Sequence, residues 1–334
     1  MPVPPPLRYL SAADVRAAMP GVEQRLELAR TTMVALVEDA ELPPKLGVHP
    51  RAESSFGHAM PALLRGRDSS VSDDLLGIKW VTGFPANRGR GIDAIHATVI
   101  LSDATTGIPL AIMNGGPITA QRTAAVSGVA LREWWPPDTA GPAPRVALVG
   151  AGVQGASHVE VLALVAPGAA LTIADRVPES AERLVATARA GGQFASVAST
   201  ADVFAAISGA DVVLTMVSFG PQRQAVPPAA FERAALVVAV DYDMSVPALV
   251  VNGARFFLVD DIAQFESTRT ETVFTGYPRP DGSIGEALIG RVLAPRAQGP
   301  VVVNHLGVGL ADVVFADAIY RRATELGLGT ELAQ

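Results

Sequence analysis

The sequence predicts an α/β protein in which a β-rich N-terminal part is followed by a parallel sheet covered by helices. Three observations predict it. Beyond residue 144, strand and helix patterns alternate as "RVALVG", "VQGASHVEVLALV", "ALTIAD", "VPESAERLVATARAG" and, after "DVFAAISGA", "DVVLTMV". That alternation is the βαβ signature. A glycine-rich turn separates the first of those strands from its helix. Residues 45–114 instead read as short strands joined by turns.

Composition narrows the class. The chain has 334 residues, 49% hydrophobic and 18% charged, which suggests an ordered globular protein of two domains. A net charge of −7 argues against nucleic acid or an anionic membrane surface as the main partner. There is no Cys, which excludes disulfides, thiolate zinc sites and cysteine nucleophiles. "MPVPPPLRYL" lacks a basic-then-apolar leader pattern, and no apolar run has transmembrane length. The expected compartment is the cytoplasm.

The elements follow in order. Residues 1–7 read as a Pro-rich extended arm. "SAADVRAAM" opens on Ser11, an N-cap residue type, and residues 22–40 have apolar positions at helical spacing. "KLGVH", "SSFGHAMPALL" and "LLGIKWVTGF" read as strands, and "HATVILSDATTGIPLAIMN" as a hairpin turning at "ATTG". "TAQRTAAVSGVALREWW" is a helix, and "PPDTAGPAP" (136–144) is the clearest breaker. After the alternating region, "LVVAVD", "ARFFLVD" and "VVVNHLG" add strands. "LADVVFADAIYRRATELGLG" closes as an amphipathic helix ended by Gly327 and Gly329.

The glycine turn carries chemistry. Gly150, Gly152 and Gly155 form G-x-G-x-x-G after a strand and at the start of a helix, and the next strand ends in Asp175. A dinucleotide needs this context: a tight turn, close backbone approach to the pyrophosphate, and helix–strand packing. Asp175 suits ribose hydroxyls and repels a 2′-phosphate, which favours NAD. Arg176 beside it keeps NADP open.

Four charged residues interrupt apolar or small-residue contexts: Lys45, Lys79, Arg122 and Asp243. Singly, each has a structural reading as a snorkelling Lys, a helix-surface Arg or a turn Asp. Together they suit an amino-acid site. A buried ammonium needs an anion, and a ligand carboxylate held by Lys and Arg would be the one that meets Lys79. Asp243, just past a strand, would be the acid/base. His58 and His305 are further candidates. His49, His96 and His158 have no metal-ligand spacing, so no metal is expected.

These residues resemble the ornithine cyclodeaminase/μ-crystallin family. The likeness is carried by "GIKWVTGFPAN", "LSDATTGIPLAIMNGGPITAQRTAA", "VALVGAGVQG" and "LGVGLADVVFADA" and runs over most of the chain. It implies a Rossmann-type parallel-sheet domain (123–309) inserted in a discontinuous α+β domain (1–122 and 310–334) for substrate binding and dimerisation. It implies a homodimer acting on a small amino or imino acid. It implies that Lys45, Lys79 and Arg122 hold the substrate carboxylate, with His58 beside the substrate, and that Asp243 and Lys79 serve catalysis. Thr123, Gly150, Gly152, Val153, Gln154, Gly155, Asp175, Arg176, Met216 and His305 then stand at cofactor positions.

The departures bear on substrate. His58 stands where ornithine cyclodeaminases carry a glutamate for the distal amine. "DMSVP" replaces the family surroundings of the aspartate, and His305 replaces a family serine. The implied activity is NAD(H)-dependent chemistry at a Cα–N bond: amino-acid dehydrogenase, imine reductase or cyclodeaminase. The alternatives are a catalytically silent NAD(P)H-binding protein and a hydroxy-acid dehydrogenase using His305.

Overall fold

The computed structural model describes residues 5–66, 73–136, 143–292 and 294–334. Residues 1–4 of the N-terminal arm and 137–142 of the predicted breaker lie outside them. The chain divides into two compact units, 1–122 with 307–334, and 123–306.

The first unit contains β1 (Leu7–Leu10), α1 (Ala12–Ala17), α2 (Val22–Glu38), β2 (Ala40–Glu41), β3 (Leu46–Val48), β4 (Phe56–Leu64), β5 (Leu75–Gly83), β6 (Ile95–Ser102) and β7 (Pro109–Asn114). The helix α3 (Gly115–Trp134) follows. From the chain's end come α10 (Gly309–Glu325) and β16 (Thr330–Leu332). The strands run β16-β1-β7-β6-β5-β4-β2, with β3 paired to β4.

Local chemistry sets several boundaries. Ser11 and Asp14 form a reciprocal capping box at α1. The β6–β7 hairpin turns where Asp103 accepts from the Thr105 and Thr106 amides. Helix α3 begins at Gly115, four residues before the expected Thr119. "GGP" reads as a breaker, yet Pro117 lies in the first turn, where its missing N–H has no intrahelical partner to lose. β16 was not expected, because "LGLGT" reads as a helix stop. It pairs antiparallel with β1, Leu7 opposite Leu332.

The second unit contains β8 (Arg145–Val149), α4 (Val153–Val165), β9 (Ala170–Ala174), α5 (Pro178–Gly191), β10 (Ser196–Thr200), α6 (Val203–Ser208), β11 (Val212–Thr215) and β12 (Leu236–Ala239). It continues with α7 (Ala248–Asn252), β13 (Phe256–Val259), α8 (Ile262–Thr268), β14 (Gly282–Ser283), α9 (Ile284–Leu288) and β15 (Val301–Asn304). Strand order is β10-β9-β8-β11-β12-β15-β13-β14, with every pair parallel. This is the α/β fold the sequence predicts. Strands β11, β12 and β15 are buried at every position, which is why they read as continuous apolar runs. The short α7, α8 and α9 were not expected, since five to seven residues carry too little periodicity. The order reverses between β8 and β11, the place where such sheets bind ligands at their carboxyl ends.

Among the described residues, no helix is long and apolar enough to cross a membrane.

Candidate functional site

In the first unit, strand alternation puts Lys79 on the buried side of β5 with Gly77 and Val81. The ammonium is 1% exposed, and its Nζ lies 2.6 Å from Oδ2 of Asp312. Arg122 Nε donates to Oδ1 of the same carboxylate at 3.0 Å. Asp312 comes from the first turn of α10 and is wholly buried. The expectation that a ligand carboxylate is the anion for Lys79 is therefore corrected: the protein supplies one of its own. With Lys79 protonated, two cations on one carboxylate leave a positive charge, and a buried site favours an anion for it. Burial first, then the Arg122 guanidinium, hold Lys79 down at about 7; Asp312 opposes this and Lys45 adds to it.

Arg122 is seated by the chain entering α10. Gly307 has φ +82°, and a Cβ there would lie 2.4 Å from the guanidinium. His58 and Lys45 belong to the same constellation. Burial, then Lys45, His49 and Lys79, hold the His58 imidazole down at about 4. Lys45 thus lies close enough to bear on both His58 and Lys79, and Arg122 close enough to bear on Lys79.

In the second unit, the glycine loop leaves β8 at Gly150, with φ +110° and room for a Cβ only 2.6 Å from the Met216 carbonyl. A Cβ on Gly155 would lie 2.3 Å from the Gly150 carbonyl, so α4 sits directly against the turn. Gly152 differs: a Cβ there would meet nothing within 4 Å. It caps α4 with no side-chain hydrogen bond, leaving the first-turn N–H groups of Val153 and Gln154 uncapped. Among the described residues, Gln154 Oε1 is buried without a hydrogen-bond partner. Asp175 accepts from the Ala151 N–H at 2.7 Å and the Val177 N–H at 2.9 Å, which fixes its carboxylate beside the loop. A carboxylate has further lone pairs for hydroxyls. Arg176 is exposed. This open cradle with a helix N-terminus fits a pyrophosphate.

Asp243 follows β12 and is wholly buried. One oxygen accepts from Arg223 and the other from the Phe274 N–H at 2.9 Å. Two residues before it, Asp241 accepts from Thr215 Oγ1 at 2.9 Å, Ser245 Oγ at 2.7 Å and the Val217 N–H at 3.2 Å. Burial outweighs those bonds and pushes Asp241 up to about 6.

His305 ends a buried chain that sequence reasoning did not find. His158 Nδ1 lies 2.7 Å from the Gln154 carbonyl, which only accepts, so Nδ1 carries the proton. Burial holds His158 down at about 4, so its Nε2 is a bare acceptor, and Ser127 Oγ donates to it at 2.8 Å. Ser127 must then accept from His305 Nε2, also at 2.8 Å. Tautomers are thus fixed by the network. Thr123 lies one turn before Ser127 on α3 and is also buried. Ser127→Ala strands a buried acceptor and a buried donor. It is expected to lower the unfolding free energy by about 2–4 kcal/mol in urea titrations and to release both tautomers in ¹⁵N NMR spectra of the imidazoles. Ser127→Thr keeps the hydroxyl and is expected to retain both.

Sequence reasoning also missed Asp312, Asp241 and Arg223. Asp312 and Asp241 lie in stretches already singled out, "LADVVFADA" and "VVAVDYD", but single acidic residues there carry no sign of their partners.

Comparison with known proteins decides the family. The profile described as the ornithine cyclodeaminase/mu-crystallin family matches residues 12–230. The chain belongs to this family. A family relative, the nodulation efficiency protein NfeD of Rhizobium meliloti, is 31% identical over 97% of this chain and 98% of its own. Mouse ketimine reductase mu-crystallin is 33% identical over 44% of each chain. An archaeal alanine dehydrogenase dimer with bound NAD superposes with a TM-score of 0.81 at 21% identity, covering 98% of both chains.

Proposed function

We propose that this family member is an NAD(H)-dependent enzyme acting at the Cα–N bond of an α-amino or α-imino acid. It would work as an amino-acid dehydrogenase, an imine reductase or a cyclodeaminase. The observation that carries the reading is the buried cluster in which Lys79 and Arg122 share the one carboxylate of Asp312, which leaves an excess of positive charge when Lys79 is protonated. A carboxylate is the natural ligand for that excess, and every α-amino acid has one. The open glycine cradle supplies the second requirement, and the names of the relatives agree with both.

In this reading Arg122 offers a planar fork and Lys45 and Lys79 point charges, which together orient the α-carboxylate. Gly150, Gly152, Val153, Gln154 and Gly155 hold the pyrophosphate, and Asp175 the adenosine ribose. Thr123, Met216 and His305 serve the rest of the dinucleotide, which when bound supplies the hydride acceptor or donor. Asp175 favours NAD over NADP. Asp243 takes the amine proton in one direction and returns it in the other. It does so after Arg223, whose side chain is 28% exposed, gives way to the amine. A homodimer in the cytoplasm completes the reading.

One observation favours a second reading. Both oxygens of Asp243 are already engaged, as they would be in a dinucleotide-binding protein without turnover. A paired assay separates the two. Amino and diamino acids are incubated with NAD⁺, and ammonia and NADH are both read. Ammonia with equal NADH identifies a dehydrogenase, and ammonia without NADH a cyclodeaminase. Dinucleotide binding with neither product, and no NADH oxidation on a panel of imines, would leave the silent protein.

A further inference from the structure

We propose that Gln224 is a positioning residue for Asp243, and that it gives the two carboxylate oxygens different tasks: Oδ2 is the anchor, and Oδ1 exchanges the proton with the amine. This rests on the reading that Asp243 is the acid/base.

Backbone geometry points to the place. Among the described residues, four non-glycine residues have positive φ: Ser54 at +55°, Gln224 at +51°, Tyr242 at +61° and Phe274 at +58°. This left-handed region disfavours side chains, bulky ones most, and a segment that only has to turn takes glycine there. Ten glycines of this chain do so. Three of the four exceptions meet at Asp243. Tyr242 precedes it directly. The Gln224 N–H donates to its carbonyl at 2.7 Å. The Phe274 N–H donates to its Oδ2 at 2.9 Å. Such backbones persist only where their surroundings over-determine them, and their clustering marks a functional constraint.

Side chains hold these backbones in place. The Tyr242 and Phe274 rings stack with centroids 5.8 Å apart and planes 10° apart. The Tyr242 carbonyl accepts from Asn304 Nδ2 at 2.6 Å. Gln224 staples the flanking segments. Its Nε2 donates at 2.8 Å to the carbonyl of Thr275, the residue after Phe274. Its Oε1 accepts at 2.7 Å from the Ala248 N–H, at the start of α7. One half-buried amide side chain thus sets the Phe274 N–H against Asp243.

The two oxygens then differ. Oδ2 is held by a backbone donor that cannot swing away. Oδ1 is held by Arg223, whose side chain is 28% exposed. When Arg223 gives way, Oδ1 is the oxygen set free. It takes one proton from the amine nitrogen in the oxidative direction and returns it in the other. A carboxylic acid protonated on Oδ1 still accepts at Oδ2, so the Phe274 bond is kept throughout.

Gln224→Glu is the discriminating variant. Its carboxylate still accepts from Ala248, but it has no donor for the Thr275 carbonyl and repels it. Gln224→Gly keeps a left-handed backbone without strain and loses both side-chain bonds. Protein labelled with ¹⁵N-phenylalanine reads hydrogen exchange at the Phe274 amide. In both variants that exchange is expected to rise about tenfold, with the other phenylalanine amides unchanged. On the amino acid that the parent turns over fastest, kcat is expected to fall about 10- to 100-fold, while KM changes less than about threefold. A role in capping α7 alone predicts otherwise: Gln224→Glu would be harmless, and only Gln224→Gly would lose stability. Unchanged Phe274 exchange in both variants, or unchanged kcat, would overturn the proposal. A parent that turns over no amino or imino acid defeats the acid/base reading, and with it the task given to Oδ1. Raised Phe274 exchange in the variants would then still support the staple, and unchanged exchange would overturn that as well.

Discussion

Asp312→Ala is expected to lower the unfolding free energy by about 3–5 kcal/mol, because it leaves buried cations without their counter-ion. The carboxylate is wholly buried and bound on both oxygens, to Lys79 Nζ at 2.6 Å and Arg122 Nε at 3.0 Å. The two cations will not respond alike. Lys79, already held at about 7, can shed its proton and escape part of the cost. Arg122 cannot. A second substitution at Arg122, to Met, should therefore restore more stability than one at Lys79. Acetate or formate should also stabilise Asp312→Ala more than it stabilises the parent, by occupying the vacated position. Urea unfolding with and without acetate measures all of this. A loss below about 1 kcal/mol would mean that water already screens the cluster.

That carboxylate also marks the limit of what the sequence reveals. The glycine loop was legible because its parts are local. Gly150, Gly152 and Gly155 lie within six residues, and Asp175 ends the next strand. The same holds for the Ser11 cap and the β6–β7 turn. Lys79 was legible as an anomaly, a charge inside an apolar strand. Its partner was not, because Asp312 is 233 positions further on and is brought there only when α10 packs on the sheet. The His158–Ser127–His305 chain was hidden in the same way. Each member looked like an ordinary residue of its own element, and the tautomers emerge only once the three meet. Asp243 was legible by position after a strand. That Arg223 and the Phe274 amide would occupy it was not, since both arrive on loops.

Gly152→Asp is expected to abolish dinucleotide binding while leaving the fold intact. Of the three loop glycines, only this one has open space where a Cβ would stand. Its φ of −83° suits any L-residue, and Asp is a good N-cap for α4. Unfolding free energy should therefore change by no more than about 0.5 kcal/mol, or rise slightly. NADH affinity should fall by about 100-fold or more, since a carboxylate would replace the bare backbone that the pyrophosphate must approach. Gly155→Ala is the contrasting case. Its Cβ would lie 2.3 Å from the Gly150 carbonyl, so α4 must shift, and stability and NADH binding should fall together. Equilibrium unfolding and NADH fluorescence titration on both variants distinguish the two roles. If Gly152→Asp still binds NADH as the parent does, the glycine loop is a structural turn and its assignment to the pyrophosphate fails. If it loses NADH at unchanged stability, the space at Gly152 is kept for a ligand.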